Sequence, residues 1–111
     1  MEENLIKSYY ATITYLDTLI GKLLNSLEEL GLKDNTTIVF WSDHGFFLGE
    51  HGMWCKHHTF NEAIHVPLII SSPKMKKGYK SDAMIEYVDL YPTICETVSY
   101  THLRAHETDR Y

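Results

Sequence analysis

Apolar side chains recur at three- and four-residue steps through the first part of the chain, at Ile6, Tyr9, Ile13, Leu16, Ile20, Leu23, Leu27 and Leu30. That period is one face of a helix, and it predicts a helix over residues 4–30. Gly31 suits the left-handed position just past a helix end, so it closes the run. Such a helix is about 40 Å long at 1.5 Å per residue, which is long for a free-standing domain of 111 residues. It reads as one element of something larger.

The period changes after the polar turn Leu32–Thr36. Thr37–Trp41 (TIVFW) is β-branched and aromatic without polar alternation, as in a central strand covered on both faces. Val66–Ser71 (VPLIIS) repeats the pattern, with Pro67 confined to its start. Both predict interior strands of a parallel sheet. Ser71–Ser81 is a basic, solvated loop, Met84–Val88 predicts a short strand, and Asp89 caps a helix that tolerates Pro92 in its first turn. Helix, strand, loop, strand, loop, helix is an α/β order. Ligands in such folds bind beyond the carboxyl ends of strands, which directs attention to Ser42 onward.

Composition narrows the classes. With 44% hydrophobic and 23% charged residues the chain is globular in character. Its net charge of −5 argues against nucleic acid or an anionic membrane as the main partner. No apolar run approaches the ~18 residues of a membrane span, and the opening MEENLIKSYY lacks the apolar core of a signal peptide. Cys55 and Cys95 form neither a disulfide framework nor a zinc spacing, so they identify no compartment.

The chemistry is concentrated in SDHGFFLGEHGMWCKHH, Ser42–His58. A carboxylate and an imidazole adjacent at a strand end, Asp43 and His44, can reach one cation if the backbone turns, and Gly45 permits a turn. A lone Asp-His pair also occurs as a turn cap beside a surface histidine. The next residues add to it: Gly49 and Gly52 allow a tight reversal, Trp54 can anchor the loop, and Lys56 can be carried back toward the pair. An ammonium group there would neutralise an oxyanion such as sulfate or phosphate.

The segment S-D-H-G-x-x-L-G-E-H-G-x-W-x-K, residues 42–56, resembles the metal and lysine segment of the sulfatase family, in the form found in iduronate-2-sulfatase-like and choline-sulfatase-like members. Its flanks resemble the family too, over residues 4–98. The resemblance implies part of an α/β/α sandwich of the alkaline-phosphatase type and hydrolysis of a sulfuric ester, either a sulfated sugar or a small sulfate ester. It implies a divalent metal, usually calcium, with Asp43 and His44 as its ligands, and Lys56, with His51, at the sulfate. Calcium prefers oxygen, so His44 has a second reading as a group that orients a neighbouring ligand or the substrate. No role in the chemistry is assigned to His57, His58 or His65.

The family's formylglycine nucleophile arises in a Cys/Ser-x-Pro/Ala-x-Arg motif, and neither Cys55, followed by Lys-His-His, nor Cys95, followed by Glu-Thr-Val, matches it. The expectation is therefore a piece of a sulfatase catalytic domain over residues 1–98, opened by a truncated frame or internal start, and without turnover of its own. Residues 99–111 (SYTHLRAHETDRY) depart from the family and resemble translated adapter sequence. Family members work in the periplasm, outside the cell or in lysosomes. Two other readings stand beside this one. Asp43, His51, His57 and His58 would suit zinc or copper in a non-catalytic module, although their spacing fits no structural zinc pattern. A related phosphodiesterase or phosphonate hydrolase would share the metal segment.

Overall fold

A computed structural model describes residues 1–98, so residues 99–111, the expected non-family tail, lie outside it. Seven regular elements follow in order: helix α1 (Glu2–Glu29), strands β1 (Ile38–Trp41), β2 (Phe47–Leu48) and β3 (Trp54–Cys55), helix α2 (Asn61–Ile64), strand β4 (Leu68–Ser71) and helix α3 (Leu90–Thr97). Single 3-10 turns occupy Lys33–Asn35, Glu50–Gly52 and Tyr87–Asp89. This is the mixed helix and strand content of an α/β fold. None of the described helices is long and apolar enough to cross a membrane.

α1 ends where the sequence places its end. Gly31 is left-handed at φ +66. Its N–H donates to Glu28 O at 3.0 Å and the Leu32 N–H donates to Leu27 O at 2.9 Å, the pair of bonds that satisfies the last carbonyls of a helix. No residue of α1 is buried, and its apolar stripe lies open, with Leu16 45% and Leu23 63% exposed.

The sheet departs from expectation. β1 and β4 pair antiparallel, Trp41 opposite Leu68 and Ile38 opposite Ser71, rather than parallel. A parallel partner needs a crossover that carries the chain back along the sheet. The segment between β1 and β4 instead folds into the antiparallel hairpin β2–β3 and the four-residue α2, and delivers the chain to the end of β1 that it left. Ser42–Pro67 is thus an excursion from one end of the ribbon. The two strands are also less covered than interior strands, since Phe40 and Ile69 are 37% and 59% exposed. Met84–Val88 forms no strand: Tyr87 and Val88 enter the 3-10 turn ahead of α3. Asp89 does precede α3, but its carboxylate accepts from the Glu86 N–H at 2.9 Å, closing that turn, and makes no bond to the α3 amides.

The buried apolar residues among those described are Phe47, Ala63 and Leu90. Phe47 is wholly buried and takes His51, His58 and Phe60 edge-on. Across the hairpin's other face Tyr9 of α1 stacks on Phe46, ring centres 5.2 Å apart, beside a cleft of about 310 Å3 floored by Leu48 and Trp54. The centre of the molecule is therefore the excursion that follows β1.

Candidate active-site loop

The backbone leaves β1 at Trp41 and bends at Asp43. Three donor groups shape the bend. The Ser42 hydroxyl donates to His44 O at 2.6 Å, the Tyr87 hydroxyl reaches Ser42 O at 2.7 Å and Asp43 O at 2.9 Å, and the Gly45 N–H donates to Ala63 O at 2.7 Å. Gly45 is required here for a reason other than a turn, because its φ is not positive. A side chain at this position would run into the backbone carbonyl of Glu62 in α2.

His44 Nδ1 lies 2.7 Å from Gly45 O. A carbonyl oxygen only accepts, so Nδ1 carries a proton, and in the neutral tautomer this requires the lone pair lies on Nε2. That nitrogen stands 3.6 Å from Asp43 Oδ2. The Asp43 side chain is 82% exposed and that of His44 31%. One oxygen and one nitrogen able to bind a cation thus lie side by side, and no third His, Cys, Asp or Glu joins them among the described residues.

The hairpin beyond them is built from left-handed residues: Gly49 at φ +112, His51 at +56, Gly52 at +71 and Cys55 at +71. The glycines adopt this without a Cβ clash, whereas His51 and Cys55 adopt it at a cost that their surroundings must offset. His51 is held by its ring, stacked on Phe60 at 4.8 Å, and by Glu62 Oε1 at 3.3 Å from Nε2. Glu50 accepts the Leu48 N–H at 2.6 Å, and this bond, with one from its own amide, keeps its carboxyl below the usual glutamate value. Trp54 lies against Gly49, so the loop closes on an indole face. Antiparallel pairing of Phe47 with Cys55 returns Lys56 to the hairpin end at which Asp43, His44 and Gly45 enter it. The Lys56 side chain forms no hydrogen bond or ion pair among the described residues.

The structure therefore joins Asp43 to His44, commits His51 to Glu62 and Phe60, and leaves Lys56, at the hairpin's open end, without a partner among the described residues. His58 packs edge-on against Phe47. The zinc or copper alternative has no assembled cluster to draw on among the described residues. Tyr87, Glu62 and Ala63 carry no signal in a local window of the sequence, yet they hold the bend and the hairpin from 11 to 45 residues away in the chain.

Comparison with known proteins gives one answer. The family model described as Sulfatase matches residues 2–100. Human iduronate 2-sulfatase is 38% identical over 113 aligned positions, covering 79% of this chain and 20% of its own. The N-acetylglucosamine-6-O-sulfatase of Bacteroides thetaiotaomicron is 47% identical over 82% of this chain and 16% of its own, and the choline-sulfatase of Rhizobium meliloti 38% identical over 86% and 19%. A solved structure of a protein in complex with its substrate, D-glucosamine-2-N,6-O-disulfate, superposes with a TM-score of 0.76 at 47% identity, over 82% of this chain and 19% of that one. The chain spans about a fifth of the length of these relatives. On its sequence and on its backbone alike, the chain belongs to the sulfatase family.

Proposed function

We propose that this chain is the metal- and sulfate-contacting segment of a longer sulfuric ester hydrolase, acting on a sulfated sugar or small sulfate ester. The observation that carries the proposal is the Asp43–His44 pair, an exposed carboxylate oxygen 3.6 Å from an imidazole nitrogen whose proton is held on the far side of the ring. This donor set fits a divalent cation in part. Calcium takes six to eight ligands, mostly oxygen, so Asp43 and His44 serve as two of them and the remainder of the enzyme provides the rest. When bound, the cation offsets the charge on the sulfate oxygens. In this reading Lys56 sets its ammonium group against the same sulfate, and the pairing that brings Cys55 opposite Phe47 supports it. His51 is occupied by Glu62, so its part is to brace the hairpin against α2 and keep Lys56 in register.

No residue of this chain is assigned the nucleophile. The formylglycine belongs to a portion of the enzyme outside these residues, and the chain alone turns over no substrate. Three relatives named for sulfate ester hydrolysis favour sulfate over phosphate as the group attacked.

The test is made in the full-length enzyme on a sulfated monosaccharide and its phosphate counterpart. Asp43→Ala and Lys56→Ala each lower kcat/KM for the sulfate by about 100-fold or more. Unchanged sulfate turnover in either variant removes that residue from the site, and preferential turnover of the phosphate removes the substrate class.

A further inference from the structure

Tyr87 is no part of the loop that carries the chemistry, yet its hydroxyl lies 2.7 Å from Ser42 O and 2.9 Å from Asp43 O. A phenol has one proton, so the two carbonyls share it in a three-centre bond. Successive carbonyls of an extended strand point to opposite sides. Two in a row meet one donor only where the chain has turned, and the bend falls at Asp43.

The geometry has a direct consequence for the carboxylate. The Ser42 carbonyl belongs to the peptide before the Asp43 α-carbon, and the Asp43 carbonyl to the peptide after it. Holding both peptide planes fixes φ and ψ of Asp43, and with them the direction in which its side chain leaves the backbone. Apart from His44 the carboxylate has no partner among the described residues and is 82% exposed, so the backbone is what aims it. The clamp itself stands on a firm base. Tyr87 opens the 3-10 turn that Glu86 and Asp89 close by reciprocal bonds, and Leu90 buries the start of α3 directly after it.

We infer that Tyr87 is a positioning residue that aims Asp43, through the backbone, at the cation it shares with His44. The inference rests on the proposed reading of Asp43 as a metal ligand. Tyr87 touches neither cation nor substrate.

Calorimetric titration of the metal-free full-length enzyme with Ca2+ tests it. Tyr87→Phe, which removes one oxygen from a half-exposed ring, weakens Ca2+ affinity by about 10-fold or more. The melting temperature of the metal-free Tyr87→Phe protein stays close to that of the parent. In an Asp43→Asn background the same substitution adds little, because the carboxylate it aims is gone. The inference is overturned if Tyr87→Phe leaves the affinity unchanged while Asp43→Asn lowers it. It is equally overturned if Tyr87→Phe costs the same factor in both backgrounds, the mark of general loosening. Unchanged affinity in Asp43→Asn refutes the metal reading itself, and the inference with it.

Discussion

Replacing Gly45 by alanine isolates the contact that holds α2 against the Asp43–His44 bend. The added Cβ would overlap the Glu62 carbonyl oxygen, 2.8 Å from its carbon and 3.2 Å from Ala63 Cα. All of these are backbone atoms, so no rotamer change relieves the overlap. Forcing a methyl group into such a gap costs about 1–3 kcal/mol. Parting the two segments also lengthens the 2.7 Å bond from the Gly45 N–H to Ala63 O, worth about 1 kcal/mol more. The total is about 2–4 kcal/mol. Gly52→Ala is the control: its φ of +71 is left-handed but nothing lies within 4 Å of the added Cβ, so it costs about 1 kcal/mol. Urea unfolding of the full-length enzyme at fixed Ca2+ measures both, and kcat/KM falls further in Gly45→Ala because the displaced bend carries Asp43 and His44. A Gly45→Ala variant as stable as Gly52→Ala would refute the close-approach argument and leave Gly45 with no more than a flexible turn to explain it.

Two further outcomes follow from the same coordinates. Glu50 has a carboxyl held below its ordinary value of 4.5 by the Leu48 and Glu50 amides, so the stability it contributes is fully present above that pH and is lost as pH falls through its lower value in the folded loop. Protection of the Leu48 amide relative to its intrinsic exchange rate therefore falls below pH 4.5 in the parent, whereas in Glu50→Gln it is already reduced at neutral pH; equal protection in the two proteins at neutral pH contradicts it. The 111-residue chain alone melts without a sharp transition, because α1 buries none of its residues and each sheet among the described residues has two strands. Its radius of gyration of 18.1 Å against about 13 Å for a compact chain of this size points the same way, and a cooperative calorimetric peak would refute it.

What was legible in the sequence was local. The 3.6-residue stripe and Gly31 mark α1 to within two residues, because both signals arise within a turn of helix. The apolar runs mark β1 and β4, though each strand starts one or two residues later than its run. The glycines of the hairpin do adopt positive φ, as a tight reversal demands. What was illegible depends on residues far apart in the chain. Strand direction follows from how the Ser42–Pro67 excursion returns, and an apolar run looks alike in either direction. The local sequence suggests a turn at Gly45, whose need is the approach of α2, and a strand at Tyr87, which binds the bend 44 residues earlier. Asp43, His44 and Lys56 stood out through their family pattern, whereas the groups that orient them carry no pattern at all.

The account turns on one arrangement, in which a cation held by Asp43 and His44 and a sulfate gripped by Lys56 share one site. A crystal structure of the full-length enzyme with Ca2+ and inorganic sulfate tests it most directly. The account predicts the cation within about 2.3–2.6 Å of an Asp43 carboxylate oxygen, in contact with His44 Nε2, and the Lys56 ammonium nitrogen within about 3 Å of a sulfate oxygen. A cation bound away from Asp43, or a sulfate bound with Lys56 turned into solvent, would contradict it.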